Sequence, residues 1–122
     1  MIAKAFLVGL GGFLGALCRF GYIELCRNWD TDFPWATTLS NWTGSLLLAS
    51  LLYIVFPNKW LSESYKLLLA VGFCGSLTTM SSFAFDFTEK LSANQIGSSL
   101  LFFVLNAVGC IAIFYVIKLA AE

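Results

Sequence analysis

Between positions 75 and 86 the chain reads GSLTTMSSFAFD. Five hydroxyl residues, Ser76, Thr78, Thr79, Ser81 and Ser82, are followed at once by Phe83 and Phe85. The chemistry open to such a stretch is donation, because each hydroxyl carries one O–H that can turn toward a ligand. One or two hydroxyls in an apolar helix bond back to the carbonyl four residues earlier and bend it. Five crowded together cover most of a helix circumference, so some of them face a polar surface. Gly72 and Gly75 precede them, and the helix that carries them is expected to break near Gly75 to Met80. A break frees backbone carbonyls, which bind cations where irregular backbone lies within a membrane.

Two further polar groups have reach. Asn41, in the sequence NWTGS, offers two amide N–H donors, either to a neighbouring helix or to a ligand. Asn106 is a similar case in the last apolar run. Asn41-Trp42-Thr43 also matches a glycosylation sequon, which its depth in an apolar run discounts. Arg19 interrupts the first apolar run; it either snorkels to the interface or forms an electropositive vestibule for anions.

The missing groups narrow the chemistry. There is no histidine, so the commonest metal ligand and the usual proton carrier near neutral pH are absent. Cys18, Cys26, Cys74 and Cys110 form no C-x-x-C pair and read as small apolar residues rather than a metal site or disulfides. No Asp or Glu lies in the middle of an apolar run; Glu24, Asp86 and Glu89 sit near the ends. A proton-coupled exporter needs such a carboxylate or a histidine. Hydroxyls, an amide and an arginine are donors, and they suit a small anion moving passively. A phenylalanine can join them, because the edge of its ring is the positive end of the quadrupole. No enzyme activity is expected.

The elements that hold these groups are membrane helices. The chain is 59% hydrophobic and 11% charged, with mean hydropathy +0.83, more apolar surface than a soluble domain of 122 residues can hide. The formal net charge is zero and no basic patch appears, which speaks against nucleic acid. Residues 35–56, 67–85 and 96–117 are apolar runs of membrane-crossing length. Residues 5–18 make a shorter run that continues through Arg19 to about Cys26, read as a retained helix rather than a cleaved signal. The expected architecture is therefore an all-α integral membrane protein, one domain over 1–122, with four transmembrane helices at about 2–26, 34–56, 62–88 and 95–120. Pro34 suits a helix start and Ser62 an N-cap. Trp29, Trp35 and Trp60 fall near span ends, at the depth of the headgroups.

Four spans put both termini on one side, together with Lys4, Lys59, Lys66 and Lys118; Arg27, Lys90 and, by its place, Arg19 lie on the other. That balance is close to even, so insertion in one or in both orientations stays open. Four helices enclose little interior, and an oligomer is the natural way to build a polar path. In GLGGFLGA (9–16), Gly11-x-x-x-Gly15 and Gly12-x-x-x-Ala16 allow two helix backbones to approach closely.

Three segments together resemble the CrcB/Fluc fluoride channels: GGFLGALCRF (11–20), TTLSNWTGS (37–45) and GFCGSLTTMSSF (72–83). The resemblance covers essentially the whole chain. It implies an antiparallel, dual-topology homodimer in a bacterial inner (plasma) membrane, with two pores that export cytoplasmic fluoride. It implies a structural Na⁺ at the dimer centre, held by the backbone carbonyls of Gly75 and Thr78. The pore asparagine maps to Asn41, and the two pore phenylalanines map to Met80 and Phe83. The hydroxyls of the polar wall map to Ser81 and Ser82, with Thr79 beside them, and the entrance arginine to Arg19. Met80 departs from the family pattern, which has Phe there; a thioether fills space but has no ring edge. Ser82 replaces Thr and keeps the hydroxyl. Two other readings remain: a small multidrug-type exporter of dual topology, and a non-transporting subunit of a membrane assembly. The first should carry a glutamate in the middle of helix 1, where this chain has GLGGFLGA.

Overall fold

The computed structural model describes all 122 residues, and the chain is entirely helical. Helix α1 spans Ile2–Cys26 and α2 spans Trp35–Val55. The third membrane-length segment, Glu63–Ser92, has two parts: α3 over 63–77 and α4 over Met80–Ser92. Helix α5 spans Ile96–Ala120. All four segments are long and apolar enough to cross a bilayer, so the expected multi-pass membrane protein is what the chain builds. Ser62 does occupy the N-cap of α3, although its side chain makes no capping bond.

Two glycines of α1, Gly11 and Gly15, are spent inside the chain. A Cβ on Gly11 would overlap the Leu68 carbonyl oxygen, and one on Gly15 the Phe73 carbonyl oxygen. Gly72 answers from α3, where a Cβ would sit 2.5 Å from the Val8 carbonyl oxygen. The two backbones therefore touch along this seam, and small residues are what permit it. Gly9 and Gly12 face open space.

Between α3 and α4 the backbone leaves helical geometry for two residues. Thr78 has φ −75°, ψ 152° and Thr79 has φ −148°, ψ 114°, both extended. Thr79 then caps α4: its hydroxyl accepts the Ser82 N–H at 3.1 Å, satisfying one of the orphan donors of the first turn. Gly75 stays helical at φ −63°, ψ −30°. Helix α4 ends with Asn94 in the left-handed region (φ 61°). The Asn94 N–H bonds to Leu91 O and the Gln95 N–H to Lys90 O, the pattern that stops a helix and spends its last carbonyls.

Three stretches, Leu51–Val55, Lys66–Cys74 and Val104–Val108, are wound more widely than an α-helix. The bond from Phe56 N–H to Leu51 O at 2.9 Å shows the i→i−5 spacing. Such wide turns inside helices collect at functional sites. The last of them places Asn106 at its centre.

The interior is polar. Thr37, Thr38, Ser40, Asn41, Ser45, Thr79, Lys90, Ser99 and Asn106 are buried, against only five apolar residues, among them Leu77 and Phe102. Apolar side chains such as Phe6, Phe13, Leu17 and Ile111 lie outside, facing lipid or another chain. This inside-out distribution follows from the solvent, because hydrocarbon accepts apolar groups and forces polar ones to find partners.

Candidate functional site

The wide turn of α5, the middle of α2 and the extended residues before α4 meet at one point. Asn41 Oδ1 accepts the Thr79 N–H at 2.7 Å, and Asn41 Nδ2 donates to the Thr79 carbonyl at 3.3 Å. The same Nδ2 donates to Asn106 Oδ1 at 2.9 Å. Asn106 in turn donates to Thr38 Oγ1 at 3.1 Å and to Phe102 O at 3.0 Å. One amide thus takes the place of a helical partner for the irregular backbone at Thr79, and a second amide holds the first.

Cavities lie on either side of this junction. One, of about 460 Å³, is lined by Asn41, Ser45, Thr78, Thr79, Met80, Phe83, Asn106 and Cys110 among others. Another, of about 350 Å³, is lined by Arg19, Thr37, Ser40, Thr79 and Ser82. Thr79 lines both, so the two cavities meet at this residue, with Asn41 on the side of the larger one. The second cavity adjoins a groove where Thr37, Ser81, Ser82 and Asp86 line the surface. There Thr37 Oγ1 donates to Asp86 Oδ2 at 2.6 Å. Arg19 forms no salt bridge; the two ion pairs of the chain are Arg27–Glu24 and Lys66–Glu63. Its guanidinium charge is therefore available to the cavity it lines.

The residues singled out from the sequence divide as follows. Asn41, Thr78, Thr79, Met80 and Phe83 gather on the larger cavity, and Arg19, Thr79 and Ser82 on the smaller. Ser81 faces the groove toward Asp86. Gly75 lines none of these and is exposed, with nothing near the position of a Cβ. Met80 is 76% exposed at the start of α4. Phe83 stacks within an aromatic group, 5.3 Å from Phe102, 6.0 Å from Phe103 and 6.2 Å from Phe87 between ring centroids. Sequence reasoning missed Thr37, Ser40 and Ser45. Their signal was periodic: Thr37, Asn41 and Ser45 recur every four residues, and Ser40 stands three residues from Thr37, so they share one face of α2.

The carbonyl oxygens at the irregular turn fit a hard cation. The Thr78 N–H and Oγ1 both return to Cys74 O, and no hydrogen bond outside regular helix ends on the carbonyl of Gly75 or Thr78. Carbonyl oxygens at such a turn are the kind of ligand a hard cation takes.

Lys90 is buried, at 7% exposure, at the far end of α4. Its ammonium donates to the Asp32 carbonyl at 2.7 Å and to Gln95 Oε1 at 3.1 Å, and lies 5.8 Å from the Phe33 ring centre. It ties the loop before α2 to the turn after α4. Phe33 continues the contact to Phe102, 5.7 Å away edge-on, and so to Phe83.

Four membrane-length helices around a donor-lined interior define a multi-pass membrane protein with a hydrophilic inside. The sequence model of the family described as "CrcB-like protein, Camphor Resistance (CrcB)" matches residues 6–117, and the chain belongs to that family. It is 33% identical over 115 residues to a protein of Azobacteroides pseudotrichonymphae named fluoride-specific ion channel FluC, covering 93% of this chain and 92% of that one. Proteins of the same name match from Clostridium perfringens, 35% identical over 93% of this chain and 88% of the relative, and from Methanococcus maripaludis, 35% identical over 94% and 93%.

Proposed function

We propose that the chain is a fluoride-selective passive channel that lets cytoplasmic fluoride leave the cell, as the names of its relatives suggest. The observation that carries the reading is the pair of donor-lined cavities meeting at Thr79. Fluoride is small and holds its water tightly, so a path through a bilayer must replace that water with O–H and N–H donors. Arg19 draws the anion to the smaller cavity, where the Ser82 hydroxyl keeps its proton free, while Thr37 and Ser40 line the same wall with theirs given to Asp86 and to Ala36 O. Ser81 and Ser82 extend the wall toward the groove. On the other side of Thr79 stand Asn41, Met80 and Phe83. Chloride is larger, and a narrow donor-lined path excludes it by site size and ligand field.

The working unit on this reading is an antiparallel, dual-topology homodimer with two pores. Three observations support it: the exposure of Met80 beside its cavity, the small apolar core of the single chain, and the nearly even distribution of Lys and Arg between the two sides. A Na⁺ ion held between two copies by the carbonyls of Gly75 and Thr78 would fix the irregular turn as a structural bridge; the exposure of Gly75 suits a shared site.

The test is efflux from liposomes. Purified protein is reconstituted into vesicles loaded with KF or KCl, and a K⁺ ionophore then permits net anion release. Fast fluoride release without chloride release is expected. Release of both anions refutes the selectivity, and release of neither refutes the channel.

A further inference from the structure

The larger cavity has five side chains besides the Cys110 thiol that can donate a hydrogen bond: Asn41, Ser45, Thr78, Thr79 and Asn106. Four have already spent their protons. Asn41 Nδ2 serves Thr79 O and Asn106 Oδ1. Asn106 Nδ2 serves Thr38 and Phe102 O. Thr78 Oγ1 donates to Cys74 O, and Thr79 Oγ1 donates to Ser82 Oγ at 3.0 Å. Ser45 is the exception. Its side chain is buried, at 7% exposure, and its hydroxyl makes no hydrogen bond, although Thr38, Ser40 and Ser50 on the same helix all bond back to the carbonyl four residues earlier. No sealed polar atom in the protein lacks a partner, so the Ser45 oxygen opens onto the cavity it lines. A hydroxyl that avoids the usual back-bond and faces a cavity is free to turn its proton to a ligand.

We propose that Ser45 is an ion-contacting residue of the pathway, the donor that meets fluoride in the Met80–Phe83 cavity. The inference rests on the fluoride reading and gives that cavity its free O–H. It also answers the departure at position 80, where a thioether offers an anion no positive ring edge and the remaining contacts must supply donors. The Cys110 thiol is a weak donor beside it.

Three proteins decide the matter in the KF and KCl efflux assay: the unaltered chain, Ser45→Ala and Ser45→Thr, each checked for folding by its size-exclusion profile. Ser45→Ala is expected to slow fluoride release by roughly 10-fold or more, the scale of a hydrogen bond to a charged group. Ser45→Thr keeps the hydroxyl and is expected to stay near the unaltered rate. Equal release by Ser45→Ala and the unaltered chain overturns the inference and leaves the channel reading intact. Equal slowing by both substitutions also overturns it, because the effect is then one of volume. No fluoride release by the unaltered chain removes the channel reading and this inference with it.

Discussion

The amide pair predicts a measurable coupling. Asn41 makes three hydrogen bonds across helices: two with the Thr79 backbone and one with Asn106. Hydrogen bonds between membrane helices contribute about 0.6 kcal/mol on average and up to about 1.7. Asn41→Ala should therefore cost about 2–5 kcal/mol, toward the upper end because it leaves the buried Thr79 N–H without its partner. Asn106→Ala loses the same number of contacts, to Asn41, Thr38 and Phe102 O, and should cost a similar amount. Only the 2.9 Å bond between the two amides is shared. The double variant should then lose about 0.6–1.7 kcal/mol less than the sum of the singles. The assay is reversible unfolding in mixed micelles, followed by tryptophan fluorescence at one protein concentration, since self-association adds a mass-action term. Trp42 reports on the site, because its Nε1 donates to Leu105 O next to Asn106. Additivity within about 0.3 kcal/mol would show that the amides act as separate sites and would refute the linked junction.

The seam between α1 and α3 predicts a contrast between glycines. Gly15→Ala drives a Cβ into the Phe73 carbonyl, a backbone atom that cannot swing away, and should lower stability by about 1–3 kcal/mol or more. Gly9→Ala meets nothing and should be neutral; equal melting of the two variants would contradict a backbone contact. The buried ammonium predicts a local effect. Lys90→Met removes its bond to the loop before α2, at Asp32 O, and its bond to Gln95, and should speed hydrogen exchange in that loop and in the turn at Gln95 while leaving α1 unchanged. Unchanged exchange there would show that the loop is held by its aromatic contacts alone.

The spans were legible because long uncharged runs admit one reading in hydrocarbon, and their ends came out near the polar loops. The donor stretch was legible as chemistry but not as a division of labour. Thr79 drew attention as one hydroxyl among several; in the structure it caps α4 and divides two cavities. Gly72 counts in the sequence toward a break in helix 3; in the structure it lies in the widely wound stretch Lys66–Cys74, and its lack of a side chain also serves the approach of Val8. The small-residue motif of α1 named close contact without naming the partner, and Gly11 and Gly15 spend it on the chain's own third segment. Lys90 entered only a tally of surface charge, because the carbonyl of Asp32 that holds it comes from a loop 58 residues away. Period and composition fix which face of a helix is polar. Which groups on that face remain free depends on pairings between distant segments.

That distinction decides what the site can do. Asn41 was the obvious donor, and its two N–H groups are consumed by the Thr79 carbonyl and by Asn106 Oδ1. An anion that accepted a hydrogen bond from Asn41 would have to displace either the Thr79 carbonyl or Asn106, and so loosen the junction. A rotating hydroxyl needs no such displacement. Ser45 can turn toward an ion and away again without disturbing any bond in the junction, and the hydroxyl of Ser82 accepts from Thr79 while keeping its own proton. A conduction path needs sites that bind well enough to replace water yet let the ion go. Amides locked into the framework and hydroxyls left to rotate meet both demands, with the rigid groups setting the width and the mobile ones making the contact.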